Sequence, residues 1–139
     1  MSGTDGVEPG LAFHHFGVAC RNLDEQERVY AVFGYTRERD DFTDPVQGVS
    51  GRFLVGGGPR MELLVALENS RVLDPWLATG PRIYHQAFET PNLAGSLQYL
   101  GRHGFRTIVG PVPAVAFNNR LIAFALNRSM TMIELIEAQ

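Results

Sequence analysis

Hydrophobic and polar residues alternate as in a strand and then follow the period of a helix, and this order occurs twice along the chain. Residues 13–20 and 83–89 are rich in aromatic and β-branched side chains, a composition typical of strands. Residues 23–33 and 93–103 place apolar side chains at every third or fourth position, which predicts helices with one buried face. The pattern therefore predicts a strand followed by a helix in each half of the chain.

The residues that flank the helical stretches support these boundaries. Asn22 and Asn92 precede the two stretches, and asparagine is a favoured N-cap because its side-chain oxygen accepts a hydrogen bond from the first helical turn. Glu25 follows Asn22 by three positions, as in a capping box. Gly34 and Gly104 follow the stretches, at the position where a glycine commonly ends a helix.

Three short apolar segments follow each of these glycines and are predicted to be strands. They are residues 35–42, 51–55 and 60–67 in the first half, and residues 105–109, 120–126 and 131–136 in the second half. Each half is thus predicted to be a β-α-β-β-β module. Between the halves, Ser70 and Gly80 bound a stretch that favours a short helix at residues 72–77.

Comparison of the two halves indicates a duplication. HFGVACRNL begins at His15 and is answered by HQAFETPNL at His85, 70 residues later. MELL begins at Met61 and is answered by IELI at Ile133, 72 residues later, as a two-residue insertion would produce. The predicted organisation is one domain with a flexible leader at residues 1–10, a first module at 11–68, a linker with a short helix at 69–80, and a second module at 81–139.

One histidine and one glutamate occupy equivalent places in each module. Along a strand, alternate side chains share a face, so the small Gly17 beside His15 leaves open space on the histidine face. Glu62 and Glu134 each lie in an apolar run, where burial of a lone carboxylate is costly. A divalent cation bound by the two glutamates, His15 and His85 would compensate both charges.

Each of these residues also has an ordinary structural interpretation. A single histidine on a strand is more often a hydrogen-bonded core or surface residue than a ligand, and a glutamate in a last strand can face solvent. The equivalence of the two copies favours a shared site, because separate structural roles would require two coincidences. His14 has no counterpart in the second copy and is interpreted as structural. His103 is expected to interact favourably with the C-terminal dipole of its helix.

Composition and charge narrow the classes of function. The formal net charge is −3, without the basic stripe that binds a phosphate backbone, so nucleic acid is not an expected partner. All twelve basic residues are arginine, which excludes a lysine Schiff base or lysine base. No apolar run approaches the roughly 20 residues of a membrane span. The leader lacks the features of a secretory signal, and Cys20 is the one cysteine, so a cytoplasmic protein without disulfides is expected.

Several motifs resemble one protein family. HHFGVACRNLDE, QGV, MELLVAL, IYHQAFET, GFR, RLIAFAL and MIELIE are similar to strand motifs of the methylmalonyl-CoA epimerase branch of the vicinal oxygen chelate superfamily, which includes glyoxalase I, bleomycin-resistance proteins and extradiol dioxygenases. The resemblance runs from about Leu11 to the end. PAVAFNNRLIAF is similar to epimerase-like proteins often encoded in biosynthetic gene sets.

The resemblance implies an α+β fold in which the paired modules form a cup-shaped mixed sheet around a metal site. The ligands of that family come from the first and last strand of each module, positions that match His15, Glu62, His85 and Glu134. It further implies one divalent ion (Zn, Co, Ni, Mn or Mg), a small-molecule substrate and a homodimer.

One position departs from the epimerase pattern. The epimerases carry a glutamate base just before the QGV motif, and here that position is Val46. Their other acid/base matches Glu134, which is present. Asp44 and Gln47 lie close enough in sequence to be considered as replacements, and Gln47 is a candidate substrate-binding residue. Pro45 stiffens this segment, which limits where these side chains can reach.

The expected function is metal-dependent activation of the α-carbon of a chelating carbonyl substrate, such as an acyl thioester or a biosynthetic intermediate. Glu134 would serve as ligand and acid/base, which favours an isomerase, epimerase or lyase. Asn118 and Asn119 are candidate substrate-binding residues, with a plain turn as the alternative. Cations for thioester phosphates are available at Arg60, Arg82, Arg120 and Arg128.

Three other functions within this family remain open at this point. An extradiol dioxygenase would lack an acidic ligand at the position of Glu62, so that residue argues against it. An antibiotic-binding resistance protein without turnover would usually have lost its metal ligands, yet all are retained here. Thiol transfer to an epoxide would need basic residues for potassium and phosphonate that are not recognisable in the sequence.

Overall fold

A computed structural model describes residues 10–139. The predicted leader at residues 1–10 therefore lies outside the described residues, apart from Gly10. The described part contains nine strands, two α-helices and two short 3-10 helices. The strands are β1 Ala12–Ala19, β2 Thr36–Arg37, β3 Phe42–Asp44, β4 Val49–Val55, β5 Met61–Ala66, β6 Arg82–Thr90, β7 Arg106–Pro113, β8 Leu121–Leu126 and β9 Met132–Glu137. The helices are α1 Leu23–Ala31 and α2 Leu93–Arg102, and the 3-10 helices are Asp74–Trp76 and Val115–Phe117.

Both predicted helix starts are confirmed by their hydrogen bonds. The side chain of Asn22 accepts a hydrogen bond from the backbone N–H of Glu25 at 2.9 Å. The side chain of Asn92 accepts one from the backbone N–H of Gly95 at 3.0 Å. Gly34 and Gly104 follow the helices with φ of 92° and 90°, a conformation that glycine adopts without steric cost.

Two predicted elements differ from the structure. The strand predicted at residues 35–42 is divided into β2 and β3, and the charged residues between them make side-chain ion pairs. Glu38 pairs with Arg60 at 3.1 Å, and Asp41 pairs with Arg52 at 2.8 Å. The helix predicted at residues 72–77 is a single 3-10 turn, in which Pro75 has no N–H to extend the hydrogen bonding.

The strands form an open mixed sheet in the order β2-β4-β5-β1-β6-β9-β8-β7, with β3 paired to β4. The pairings of β1 with β5 and of β6 with β9 are parallel, and they join the first and last strand of each module. The pairings of β4 with β5 and of β8 with β9 are antiparallel. This arrangement confirms the predicted α+β fold.

The contacts divide the described chain into two compact units that share β1 and β6. Unit 2 contains His15–His85 and Ala114–Asn119. Unit 1 contains the remaining described residues. In unit 2, helix α1 packs on the sheet face that carries Val18 and Leu63. In unit 1, helix α2 packs on the face that carries Leu135. Because side chains alternate along a strand, His15 and Glu62 point away from α1 in unit 2, and Glu134 points away from α2 in unit 1.

No helix in the described part of the chain is long and apolar enough to cross a membrane.

Candidate metal centre

Three of the four predicted ligands converge in unit 2. The Nε2 atom of His15 lies 3.0 Å from Glu62 Oε1 and 3.2 Å from His85 Nε2. His85 Nε2 lies 3.6 Å from the same carboxylate oxygen. The ligand atoms that these three residues offer are all within 4.8 Å of one another. The relative exposures of His15, Glu62 and His85 are 0%, 4% and 2%, so the cluster is shielded from water.

Strand register explains why these side chains meet. In the parallel pair of β1 and β5, Gly17 is the partner of Glu62, and His15 lies two residues earlier on the same face. Gly17 is also where the His85 ring approaches β1, because a Cβ at this position would overlap that ring. The open space predicted beside His15 is therefore filled by the second histidine.

Charge within the cluster acts strongly on the carboxylate. Burial alone would raise the pKa of Glu62, but the charge of a protonated His15 and hydrogen bonds from both imidazoles outweigh burial and lower the pKa to about 2. The carboxylate is thus stabilised in its ionised form by positive charge at this point. A divalent cation would supply the same charge.

The donor set suits a divalent cation. Two imidazole nitrogens directed at each other across 3.2 Å need either a shared proton or a positive ion between them. Imidazole nitrogen together with carboxylate oxygen is a ligand combination typical of zinc and other transition metals. The residues present therefore fit a divalent metal, which His15, Glu62 and His85 could hold.

Aromatic rings enclose His15 in unit 2. Phe117 stacks on its imidazole at a centroid distance of 5.9 Å and an interplanar angle of 25°. Phe53 meets the same imidazole edge to face at 5.5 Å. On the other histidine, Tyr84 lies edge to face with His85 at 4.6 Å. These contacts hold the imidazoles in place and exclude water from them.

The fourth predicted ligand, Glu134, is described from unit 1. It lies in β9 with a relative exposure of 3%, and its register partner in β6 is Ala87. His85 precedes Ala87 by two residues in β6, so both side chains leave the same face of that strand. In β8 the partner of Glu134 is Phe124. Glu134 is therefore the register partner of Ala87 in the second module, just as Glu62 is the register partner of Gly17 in the first.

The segment that departs from the epimerase pattern is held by Asp44. One carboxylate oxygen of this buried residue accepts hydrogen bonds from the backbone N–H groups of Val46 and Gln47, both at 3.1 Å. The other oxygen accepts from the Gln47 side-chain amide at 2.9 Å and from the backbone N–H of Val115 at 3.1 Å. Asp44 therefore braces two loops, and Val46 is 73% exposed.

Gln47 lies along a surface groove rather than among the three converging ligands. The groove has a volume of about 530 Å³ and is lined by residues 45–48 and 67–72. Substrate binding by Gln47 stays a prediction.

Asn118 and Asn119 form an exposed turn that follows the second 3-10 helix. Both have positive φ, 55° and 66°, which asparagine tolerates better than other non-glycine residues. Their backbone N–H groups donate to Val115 and Ala114 carbonyls at 3.3 and 2.9 Å. Their contact with a substrate stays a prediction.

Two residues near the cluster were not found from the sequence. The guanidinium of Arg39 lies 4.4 Å from the ring centroid of Phe53 and donates a hydrogen bond to the Ala116 carbonyl at 2.7 Å. Arg39 follows the interrupted end of β2, where no regular alternation indicates which way a side chain points. The alternation of β4 could have placed Phe53 on the Glu62 face, since the two are register partners.

Comparison with known proteins places the chain in a family. The model of the Glyoxalase/Bleomycin resistance protein/Dioxygenase superfamily matches residues 14–124. The protein belongs to this superfamily, as the sequence motifs predicted. The matched stretch includes His15, Glu62 and His85 and ends before Glu134.

Solved structures share the fold at low sequence identity. Methylmalonyl-CoA epimerase from Mycobacterium tuberculosis has a TM-score of 0.76 and 24% identity, covering 92% of this chain and 88% of its own. A hypothetical protein from Bacillus halodurans has a TM-score of 0.77 and 22% identity, with 94% and 96% covered. A variant of the Streptomyces coelicolor methylmalonyl-CoA epimerase, in complex with 2-nitronate-propionyl-CoA, has a TM-score of 0.70 and 24% identity, with 93% and 99% covered. No curated protein sequence matches the chain.

Proposed function

We propose that this protein is a divalent-metal-dependent enzyme that activates the α-carbon of a chelating carbonyl substrate. The observation that carries the proposal is the convergence of His15, Glu62 and His85, three buried ligands from different strands within 4.8 Å of one another. A buried cluster of this composition is costly unless a cation or a shared proton compensates it. The class of reaction proposed is isomerisation, epimerisation or a lyase reaction.

Glu134 is proposed as the fourth ligand. Its support is the equivalence of register in the two modules, since each glutamate is the partner of the residue two positions after a histidine. Its burial to 3% exposure is consistent with a role other than contact with solvent. The proposed ion is zinc, cobalt, nickel, manganese or magnesium.

The division of roles follows from the chemistry of each group. When bound, the metal would act as a Lewis acid that stabilises negative charge on the substrate oxygens and so eases loss of the α-proton. A carboxylate oxygen of Glu134 is proposed to take that proton and return it. Phe53 and Phe117 exclude water from His15, which strengthens electrostatic interactions within the site.

The position of Val46 favours a reaction that needs a single acid/base. Its side chain carries no proton-transfer group, and the nearby Asp44 is engaged in four hydrogen bonds that brace the loops. A one-base isomerisation, elimination, hydration or decarboxylation is therefore preferred to epimerisation with a base on each face. Structural neighbours that are methylmalonyl-CoA epimerases suggest an acyl thioester as the first substrate to test.

Metal analysis tests the first part of this proposal. Protein purified without chelator should hold about one divalent ion per chain, and His85→Ala should lose it. His14→Ala is the matched control, because it removes a neighbouring histidine that the proposal leaves outside the site. Equal metal content in all three proteins, or none in the wild type, would contradict a metal centre at these residues.

Proton exchange tests the second part. Holoprotein incubated with methylmalonyl-CoA in deuterated water should incorporate deuterium at the α-carbon, and Glu134→Gln should abolish the exchange. Absence of exchange in the wild type would exclude this substrate. Exchange that survives in Glu134→Gln would exclude this residue as the acid/base.

A binding role without turnover is the second candidate, and the absence of a carboxylate at Val46 is the observation that favours it. The superfamily includes bleomycin-resistance proteins, so tight binding of an antibiotic by metal-free protein would support this alternative. Association into a homodimer and a cytoplasmic location rest on the resemblance and on the sequence, and stay predictions.

A further inference from the structure

The segment Ala114–Asn119 contacts the histidine cluster of unit 2 through Phe117, which lies against His15. The strands before and after this segment belong to unit 1, whereas the segment itself is part of unit 2. Phe117 stacks on His15 and also contacts the Phe53 ring at a centroid distance of 6.1 Å. The segment thus places an apolar side chain directly over a candidate metal ligand.

Any chelating substrate must reach atoms that are buried in this structure. His15, Glu62 and His85 lie on strands β1, β5 and β6, whose movement would break backbone pairing along the sheet. The segment contains one turn of 3-10 helix and no strand. Among the elements described around His15 in unit 2, it is therefore the one that can move at the lowest cost in backbone hydrogen bonds.

Asp44 and Arg39 each form a hydrogen bond with the backbone of the segment. Asp44 accepts a hydrogen bond from the backbone N–H of Val115 at 3.1 Å, and it is itself fixed by the loop that it braces. Arg39 donates to the carbonyl of Ala116 at 2.7 Å. Because Arg39 is an exposed residue and its acceptor is a neutral carbonyl, water competes for this bond more readily than for the bond to buried Asp44.

We propose that Ala114–Asn119 is a gate that controls access to the histidine cluster, with Phe117 as its cover and Arg39 as its latch. In the closed state Phe117 excludes water from His15. Release of the Arg39 bond lets the segment turn about Asn118 and Asn119, whose positive φ marks the end of the 3-10 helix. The role in substrate entry rests on the proposed function, whereas the opening of the segment can be measured without any metal.

Amide hydrogen exchange of metal-free protein tests the latch itself. Arg39→Ala should speed exchange of the Val115 amide, which donates out of the segment to Asp44, by about tenfold, the effect expected for loss of one hydrogen bond from a charged donor. Arg37→Ala is the matched control. Arg37 is an exposed arginine two residues before Arg39, and it pairs with Glu27 instead of with Ala114–Asn119. Equal exchange rates in wild type and Arg39→Ala, after thermal melting shows both to be folded, would overturn the gate.

Metal removal tests whether the gate controls the site. In protein loaded with cobalt or zinc, extraction by EDTA should be about tenfold faster in Arg39→Ala and unchanged in Arg37→Ala. Phe117→Leu, which keeps an apolar side chain but removes the ring that stacks on His15, should also speed extraction. Unchanged extraction in both Arg39→Ala and Phe117→Leu would overturn the role in access. Failure of the wild type to bind metal would instead contradict the proposed function. The amide exchange of metal-free protein would then still test whether Arg39 holds the segment closed.

Discussion

The two modules place their histidines and glutamates by the same register but differ in the small residue between them. Gly17 is the partner of Glu62 in the first module, and Ala87 is the partner of Glu134 in the second. A Cβ at Gly17 would overlap the His85 ring, while Ala87 carries its Cβ at 0% exposure. The correspondence between the two modules therefore breaks at the position where the His85 ring occupies the space of a side chain.

The helices of the two modules differ in how they are attached. Helix α1 has no fully buried residue, and Arg52 of β4 joins it through ion pairs with Asp24 and Glu27, both at 2.8 Å. Helix α2 instead buries Leu93 and Leu100 in the core of unit 1. Ion pairs thus add to the apolar packing of α1, whereas α2 is held by side chains buried in the core, so acid should affect the first module more.

Gly17→Ala, which gives the first module the alanine found at the equivalent position of the second, should have the largest effect on stability and metal affinity. Gly17→Ala forces the His85 ring to move, and overpacking of a buried site typically costs about 1–3 kcal/mol of stability. Because the displaced ring is a proposed ligand, metal affinity should also fall by about 100-fold, the upper part of the range seen when support for a ligand is lost. Thermal melting and metal titration measure the two losses.

Ala87→Gly is the control for this substitution. It makes the second module resemble the first and removes a buried methyl group, so it should lower stability by about 1 kcal/mol and leave the His85 ring in place. Wild-type metal affinity in Gly17→Ala would contradict the arrangement of the rings. A similar loss of metal affinity in both variants would show that packing, rather than room for His85, controls the site.

The substitutions Glu62→Gln and Glu134→Gln should have the next largest effect, on metal binding. They also test whether the two glutamates differ in role, because only Glu134 is proposed to transfer a proton. Loss of a charged ligand should weaken metal binding by at least about tenfold in Glu62→Gln and in Glu134→Gln. Only Glu134→Gln should abolish α-proton exchange when enough metal is added to load both variants. Isothermal titration and deuterium incorporation measure these effects, and full exchange in loaded Glu134→Gln would remove the proposed difference in role.

The repeated architecture was predictable from the sequence because it is a property of local pattern. Strand alternation placed His15 and Gly17 on one face, and Asn22 marked the start of α1. The same alternation predicted open space at Gly17. It could not identify the ring that fills the space, because His85 lies 70 residues from His15 and only strand pairing brings them together.

The features missed by the sequence depend on long-range contacts of loops. The Arg39 bond to Ala116 spans 77 positions, and the Asp44 bond to Val115 spans 71. Neither loop has a period from which a side-chain direction could be inferred. Asp44 was considered only as a replacement base, since nothing in the local sequence indicates that its two oxygens are occupied by backbone and amide donors.

Loss of the charged attachment of α1 should destabilise the first module. Arg52→Ala removes the guanidinium that joins Asp24, Glu27 and Asp41, with an expected cost of about 1–2 kcal/mol, below the range for fully buried pairs because these partners are partly exposed. Arg120→Ala is the counterpart in the second module, where the arginine pairs with Glu89 and donates a hydrogen bond to the Glu137 carbonyl. It should cost less, because the Arg120 side chain is 21% exposed against 6% for Arg52. Urea denaturation compares the two, and an equal or larger loss in Arg120→Ala would contradict the assignment of charge to the first module.

The smallest expected effect is the pH dependence of that attachment. The hydrogen bond from the Arg52 guanidinium lowers the pKa of Asp41 from its ordinary value of 3.8. A carboxyl group with a lowered pKa contributes stability above its ordinary pKa, and the contribution is lost as the pH falls through the lowered value. The difference in thermal midpoint between wild type and Asp41→Asn should therefore be constant near neutral pH and shrink as the pH falls below about 4. Asp40→Asn, which removes a neighbouring exposed carboxylate, is the control. If the difference in thermal midpoint between wild type and Asp41→Asn stayed constant into acid, Arg52 would not hold Asp41 in its ionised form.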